Sequence, residues 1–272
     1  MNIITANEGN NILKEKILSR KPFIATKLGA VEQNVVWAKL TSNYEPIRYS
    51  ASQNAGITPS DDFNLNLFFN EYTEGISNSD MIGSMGQSRE EEIILKYAPK
   101  SIYSELRYLE PFYHENPWSE SLFNLNVLVI HPFEESIKKQ FRIKEKLFSN
   151  MRVLPDFNLK TIKAEQTNGG GLKDSKPFIE SLNIMKDKIN KIDFDIALIG
   201  CGAYGLLLAN HIKKINKQAI HIGGGLQIMF GIKGKRWDVH PEISKMFNDN
   251  WIRPSDNEKT LNISSVEDGT YW

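Results

Sequence analysis

The sequence predicts an α/β, Rossmann-like fold, with a mainly parallel sheet flanked by helices. Three observations carry this. Short β-branched runs alternate with helical stretches through the second half of the chain. Most of these runs end in a glycine-rich or polar loop. One of them passes through G-x-G-x-x-G directly into a helix. Strands alternating with helices imply βαβ units and a parallel sheet. The 272 residues read as a single α/β domain, 1–272, with a partly irregular insertion at about 45–120 and an extended aromatic tail at about 241–272.

The elements follow in order. Residues 8–20 place Ile12, Leu13, Ile17 and Leu18 at helical spacing. Pro22–Thr26 reads as a short buried strand, Lys27 to Glu32 as a glycine turn, and Val31 to Leu40 as a helix. Within the insertion, Asn54-Ala55-Gly56 is a turn signal, and Ser88 with Glu91 three residues later reads as a capped helix start. Pro111 to Trp118 is an aromatic-rich loop. Asn126–Ile130 is a buried strand ending at His131, and a helix is expected over Ser136–Phe148. Thr161–Lys163 is a further strand candidate, Asn168–Gly171 a flexible turn, and Phe178–Lys191 an amphipathic helix. Phe194–Ile199 is a strand, Leu206–Lys214 a helix, and Gln218–Ile222 the next strand. The tail holds Trp251, Tyr271 and Trp272 and shows no period.

Composition narrows the function classes. Lys+Arg and Asp+Glu both number 33, so there is no basic excess of the kind a nucleic-acid binder shows. The lone cysteine, Cys201, cannot form an internal disulfide, which fits a cytoplasmic chain. The first residues lack the basic-then-apolar pattern of a signal peptide. No apolar run approaches the roughly 18 residues of a membrane span. Attachment to the inner face of a membrane through partners, and homo-oligomerisation, both stay open.

The sharpest chemical signal is Gly200, Gly202 and Gly205 between a strand and a helix. In such a turn the first glycine permits a tight bend and the second lets backbone approach a phosphate. The third lets helix and strand pack closely. A turn that only packs helix on strand is the other reading. An NAD site expects an acidic residue about twenty positions on, at the end of the next strand. That strand ends His221-Ile222-Gly223 with no acid, which counts against NAD. Gly223, Gly224, Gln227, Lys233, Lys235 and Arg236 follow, glycines for close backbone approach and cations for a diphosphate. The other reading of that stretch is a solvated basic loop. In a parallel sheet, loops after the strands share one edge, where ligands bind. That rule would bring Lys27–Glu32, His131–Glu134, Gly200–Gly205 and Gly223–Gln227 together. Glu32 falls in the first turn of a helix. A carboxylate there suits the helix dipole, and it could equally serve as a general base or hold a hard cation. Asp80 is a weaker acidic candidate, and Cys201 reads as a small residue and not a nucleophile.

These segments resemble bacterial glycosyltransferases of the GT-D type, the DUF1792-like group of cell-surface polysaccharide gene clusters. The family's early R-x-G-D-G-E-like segment is matched by Lys27-Leu28-Gly29-Ala30-Val31-Glu32. Its late strand–glycine turn–helix–strand unit is matched by Ile199–Ala203 through Lys217–Gly223. The likeness spans roughly residues 20–235 and is sharp only in these pieces. It implies transfer of a sugar from a nucleotide-sugar donor to a glycan or lipid-linked acceptor. Glu32 would be the catalytic acid–base group, with His131 as a second catalytic contact. The expected nucleotide-sugar-binding set begins with Lys27, Gly29, Gly200, Gly202, Ala203 and Gly205. It continues with His221, Gly223, Gly224, Gln227 and the cations Lys233, Lys235 and Arg236. The family's D-x-E pair, linked there to a divalent metal, is Ala30-x-Glu32 here, so activity without metal is expected. Two other readings remain: a nucleotide-dependent oxidoreductase or epimerase, and a non-catalytic sugar-nucleotide binding subunit.

Overall fold

The computed structural model describes residues 2–171 and 174–272. Seven strands form one sheet: β1 (Phe23–Lys27), β2 (Met81–Ser84), β3 (Ile102–Glu105), β4 (Asn126–His131), β5 (Asn158–Lys163), β6 (Ile196–Ile199) and β7 (Gln218–His221). Their order is β3-β2-β1-β7-β6-β4-β5, and every pairing is parallel. The helices are α1 (Ala6–Leu18), α2 (Ala30–Leu40), α3 (Arg48–Gln53), α4 (Asp62–Ser77), α5 (Glu90–Tyr97), α6 (Glu134–Phe141), α7 (Phe178–Asn190), α8 (Tyr204–Lys214) and α9 (Gly225–Met229).

A parallel sheet must be covered on both faces, and the strand sequences show why this one is. Alternate residues of the same strands belong to two separate cores. Leu128, Ile130, Ala197 and Ile199 pack with α2, α4, α7 and α8. Val127, Val129, Leu198 and Ile220 pack with α1, α6, α9 and the tail. Period-2 side-chain alternation thus feeds both layers from uninterrupted apolar runs.

The stretch 45–120 differs from its sequence reading. It contributes two strands, β2 and β3, that extend the sheet past β1. Each is four residues long, and the glycine and serine of Met81–Ser84 mask it as a loop. The expected cap at Ser88 does not form, and α5 begins at Glu90 with no side-chain cap. Glu90 carries the local order instead. Its buried carboxylate accepts from Met85 N at 2.9 Å, Gly86 N at 3.2 Å and the Tyr103 hydroxyl at 2.8 Å. The helix expected over 136–148 stops at Phe141 and is followed by a 3-10 turn, Lys144–Lys146. No helix among the described residues is long and apolar enough to cross a membrane.

Candidate active site at the carboxyl edge of the sheet

Chain direction reverses between β4 and β6. From β4 the chain moves outward to β5, and from β6 it moves inward to β7. Ligands in open α/β sheets bind in the crevice at such a reversal. A cavity of about 100 Å³ lies there, walled by His131, Gly200, Gly202, Gly223 and Lys27 among others.

The three glycines after β6 have three distinct surroundings. A side chain on Gly200 would stand 2.8 Å from both Gly223 O and His131 Cδ2, so this glycine lets three strand ends close together. Gly202 has φ +58° and open space where a side chain would be. Its backbone is therefore presented at the cavity, at the start of α8. A side chain on Gly205 would stand 2.1 Å from the His221 ring, so this glycine lets α8 lie on β7. Gly223, at φ +70°, would meet the Lys27 side chain at 2.7 Å.

His131 closes β4 and is 4 % exposed. Phe133 N donates to its Nδ1 at 3.0 Å, so the ring proton sits on Nε2. Burial lowers its pKa to about 3, so the imidazole is neutral. At neutral pH it is therefore a fixed N–H donor, unlike an acid–base shuttle. Among the described residues nothing accepts from Nε2, and the residue lines the cavity. Lys27, from the end of β1, reaches the same cavity, and no carboxylate among the described residues pairs with it.

Other expected site residues lie elsewhere. His221 is buried beneath α8. Thr26 Oγ1 donates to Lys27 O and meets His221 Nδ1 at 2.9 Å, which leaves Nε2 a buried acceptor without a partner. Burial, with the nearby charge of Lys27, holds this ring well below the ordinary histidine range. Ala203, Gly224 and Gln227 line the cavity, although Gln227 Nε2 is engaged by Ile232 O at 3.3 Å and Tyr271 O at 3.2 Å. Lys233, Lys235 and Arg236 are not on its wall. Lys235 Nζ donates to Asp268 O at 3.1 Å, Arg236 Nε to Thr270 Oγ1 at 3.1 Å, and Lys233 lies 5.5 Å from the Phe247 ring centre. Two of these three cations thus fasten the tail, and Lys27 is the cation at the cavity. Asp80 stands at the opposite edge of the sheet, held by Lys213 at 2.7 Å and accepting from Ile24 N at 2.9 Å. Burial raises the Cys201 thiol pKa, which removes its thiolate.

Glu32 and Gly29 sit at the same carboxyl edge but outside the cavity lining. The Glu32 carboxylate folds back over Gly29, where a side chain would meet Oε2 at 2.0 Å. Glu32 is only 8 % exposed, yet no hydrogen bond or ion pair reaches its carboxylate among the described residues. Its oxygens are not among the buried polar atoms that lack a partner, so the carboxylate keeps access to solvent at this edge. Where the family's metal-binding pair falls, Ala30 offers no side-chain ligand. Among the described residues no three His, Cys, Asp or Glu side chains converge to hold an ion.

The sequence reading missed several parts of the wall. Glu165–Asn168, after β5, lines it, and Thr167 Oγ1 bonds the Tyr204 hydroxyl at 2.8 Å, tying the β5 exit to α8. Tyr204 stacks on Phe178 at 4.1 Å. Polar loop residues such as these carry no periodic signal. Glu110, beside Gly225, was also missed. Burial raises its carboxyl pKa to about 7. Tyr271 and Trp272 line the cavity from the tail. Glu258 anchors that tail. Its carboxylate accepts from Glu135 N at 2.9 Å and Ser136 N at 3.1 Å, so it caps α6 from a distance in sequence.

No protein-family model matches the chain, and no curated protein does. Two solved structures are similar over most of its length. One is described as the selenomethionine-substituted structure of domain of unknown function 1792. It has 9 % identity and a TM-score of 0.36, with 79 % of this chain and 82 % of that one covered. The other is described as showing that the highly conserved domain of unknown function 1792 has a distinct glycosyltransferase fold. It has 10 % identity and a TM-score of 0.34 with the same coverage. The chain is thus a seven-stranded, all-parallel, Rossmann-like α/β protein, similar over about four-fifths of its length to solved structures of domain of unknown function 1792.

Proposed function

We propose that the chain is a glycosyltransferase that moves a sugar from a nucleotide-sugar donor to a glycan or lipid-linked acceptor. One observation carries the reading: Lys27, the fixed N–H of His131 and the open backbone at Gly202 converge on one cavity at the chain reversal. Each favours negative charge. A helix N-terminus adds backbone donors and the positive end of its dipole. The segments resembling GT-D glycosyltransferases, Lys27–Glu32 and Ile199–Gly223, supply this edge.

In this reading the acceptor hydroxyl attacks the anomeric carbon of the donor. The bond from that carbon to the diphosphate oxygen breaks, and the acceptor proton passes to Glu32. Charge grows on the leaving diphosphate, where Lys27 and His131 Nε2–H stabilise it. Glu32 stands at the β1 exit, two strands from β6, which at about 4.8 Å per strand is close to 10 Å. A sugar diphosphate spans that distance. A thermal-shift panel of UDP-glucose, GDP-mannose, CMP-sialic acid, NAD and NADP tests the reading. Stabilisation by a nucleotide-sugar is expected. A response to NAD or NADP alone would replace the reading with a nucleotide-dependent oxidoreductase.

A further inference from the structure

Trp272 borders two spaces at once. On its inner side is the cavity of about 100 Å³. That is below the roughly 300–1,000 Å³ of the usual ligand pocket, so a whole nucleotide-sugar would extend beyond it. On its outer side is an open cleft of about 640 Å³, within the usual range of ligand pockets, bordered by Lys235, Arg253 and Lys259. The indole is held for the task. Its Nε1 donates to Glu258 O at 3.2 Å, its backbone oxygen accepts from Lys235 N at 3.1 Å, and its ring meets Phe133 edge-on at 6.1 Å. It is only half-buried, so part of its surface faces the two spaces.

Resting on the proposed donor reading, we propose that Trp272 is a ligand-contacting residue. The donor phosphates fill the inner cavity, and a flat ring of the same donor lies against the indole in the outer cleft. The chemistry is stacking of a planar face on an aromatic surface, from either the nucleobase or the sugar. Tyr271 supports the indole, its ring 6.1 Å away and perpendicular.

The test uses the full chain with UDP, UDP-glucose, GDP, GDP-mannose and inorganic pyrophosphate, followed by calorimetry and tryptophan emission. A nucleotide-sugar that binds is expected to quench emission, and Trp272→Phe is expected to remove most of that quench while keeping affinity. Trp272→Ala is expected to weaken nucleotide-sugar binding about 5- to 150-fold, the range for one lost stacked ring, and to leave pyrophosphate binding unchanged. Quenching by UDP or GDP assigns the ring to the base, and quenching only by the sugar-bearing forms assigns it to the sugar. If wild type binds nucleotide-sugar and the quench is unchanged in Trp272→Phe, the Trp272 assignment is overturned and the donor reading stands. If wild type binds neither pyrophosphate nor any nucleotide, the donor reading falls and the assignment with it.

Discussion

Two exits of the same sheet, β6 and β1, carry the same pattern of strand, glycine turn and helix, yet they end in opposite states. After β6, Gly202 turns at φ +58° and faces open space, so backbone is on offer. After β1, the corresponding space at Gly29 is filled by the carboxylate of Glu32, the third residue of α2. One exit attracts negative charge and the other presents it. A donor's diphosphate suits the first, and an acceptor hydroxyl that must lose a proton suits the second. A glycine turn before a helix therefore does not define a phosphate site until the occupant of its open side is known.

The largest expected effect breaks the β1 half of this contrast. Glu32→Gln should lower the transfer rate by roughly 10²–10⁴-fold, the usual loss of a general base. Stability should shift by less than about 1 kcal/mol, because no hydrogen bond is lost. Steady-state transfer and melting temperature measured together check both. Near wild-type turnover would return Glu32 to a helix-start role. The next effect sharpens the β6 half. Lys27→Met should weaken pyrophosphate binding about 10- to 150-fold, from the roughly 1.5–3 kcal/mol of a charged hydrogen bond. Calorimetry reads this, and an unchanged affinity would take Lys27 out of the site.

Much of this contrast was legible in the sequence, and what was missed has physical causes. Strands β4, β6 and β7 announce themselves because both faces of a parallel sheet are buried, which makes their inner residues apolar. The glycine turn was legible because its flanks were. Strands β2 and β3 were not, since four residues with a glycine or a serine carry too little pattern. The basic cluster misled for a different reason. Lys235 and Arg236 bond the tail through Asp268 and Thr270, more than thirty residues away in sequence, and no local pattern encodes such a partner. Glu32's unpaired state was likewise invisible, because it is a property of what surrounds the carboxylate.

A smaller effect concerns acid. His131 and His221 are held neutral by burial, His131 with a pKa near 3. As pH falls below the ordinary histidine value of about 6.5, the unfolded chain takes up protons that the native rings refuse, so stability is lost. Glu110 opposes this. Its pKa is raised to about 7, so the native state binds a proton first, and its contribution grows as pH falls from 7 toward its ordinary value. His114 and His211, also lowered by burial, add to the loss, so stability falls overall as pH drops from about 6.5 toward 4.5. Urea unfolding at three pH values checks it. His131→Asn should flatten the slope, and an equally steep variant would show that His131 protonates in the native state.

The contrast between the two exits is tested most directly by one calorimetric comparison. The nucleotide-sugar that stabilises wild type most is titrated into wild type, Gly202→Val and Glu32→Gln, with far-UV circular dichroism confirming each fold. Gly202→Val puts a branched side chain at a left-handed position facing the cavity and should abolish binding, while Glu32→Gln should bind within a few-fold of wild type. Unimpaired binding by folded Gly202→Val, with binding lost in Glu32→Gln, would move the phosphate site to the β1 exit and contradict the account.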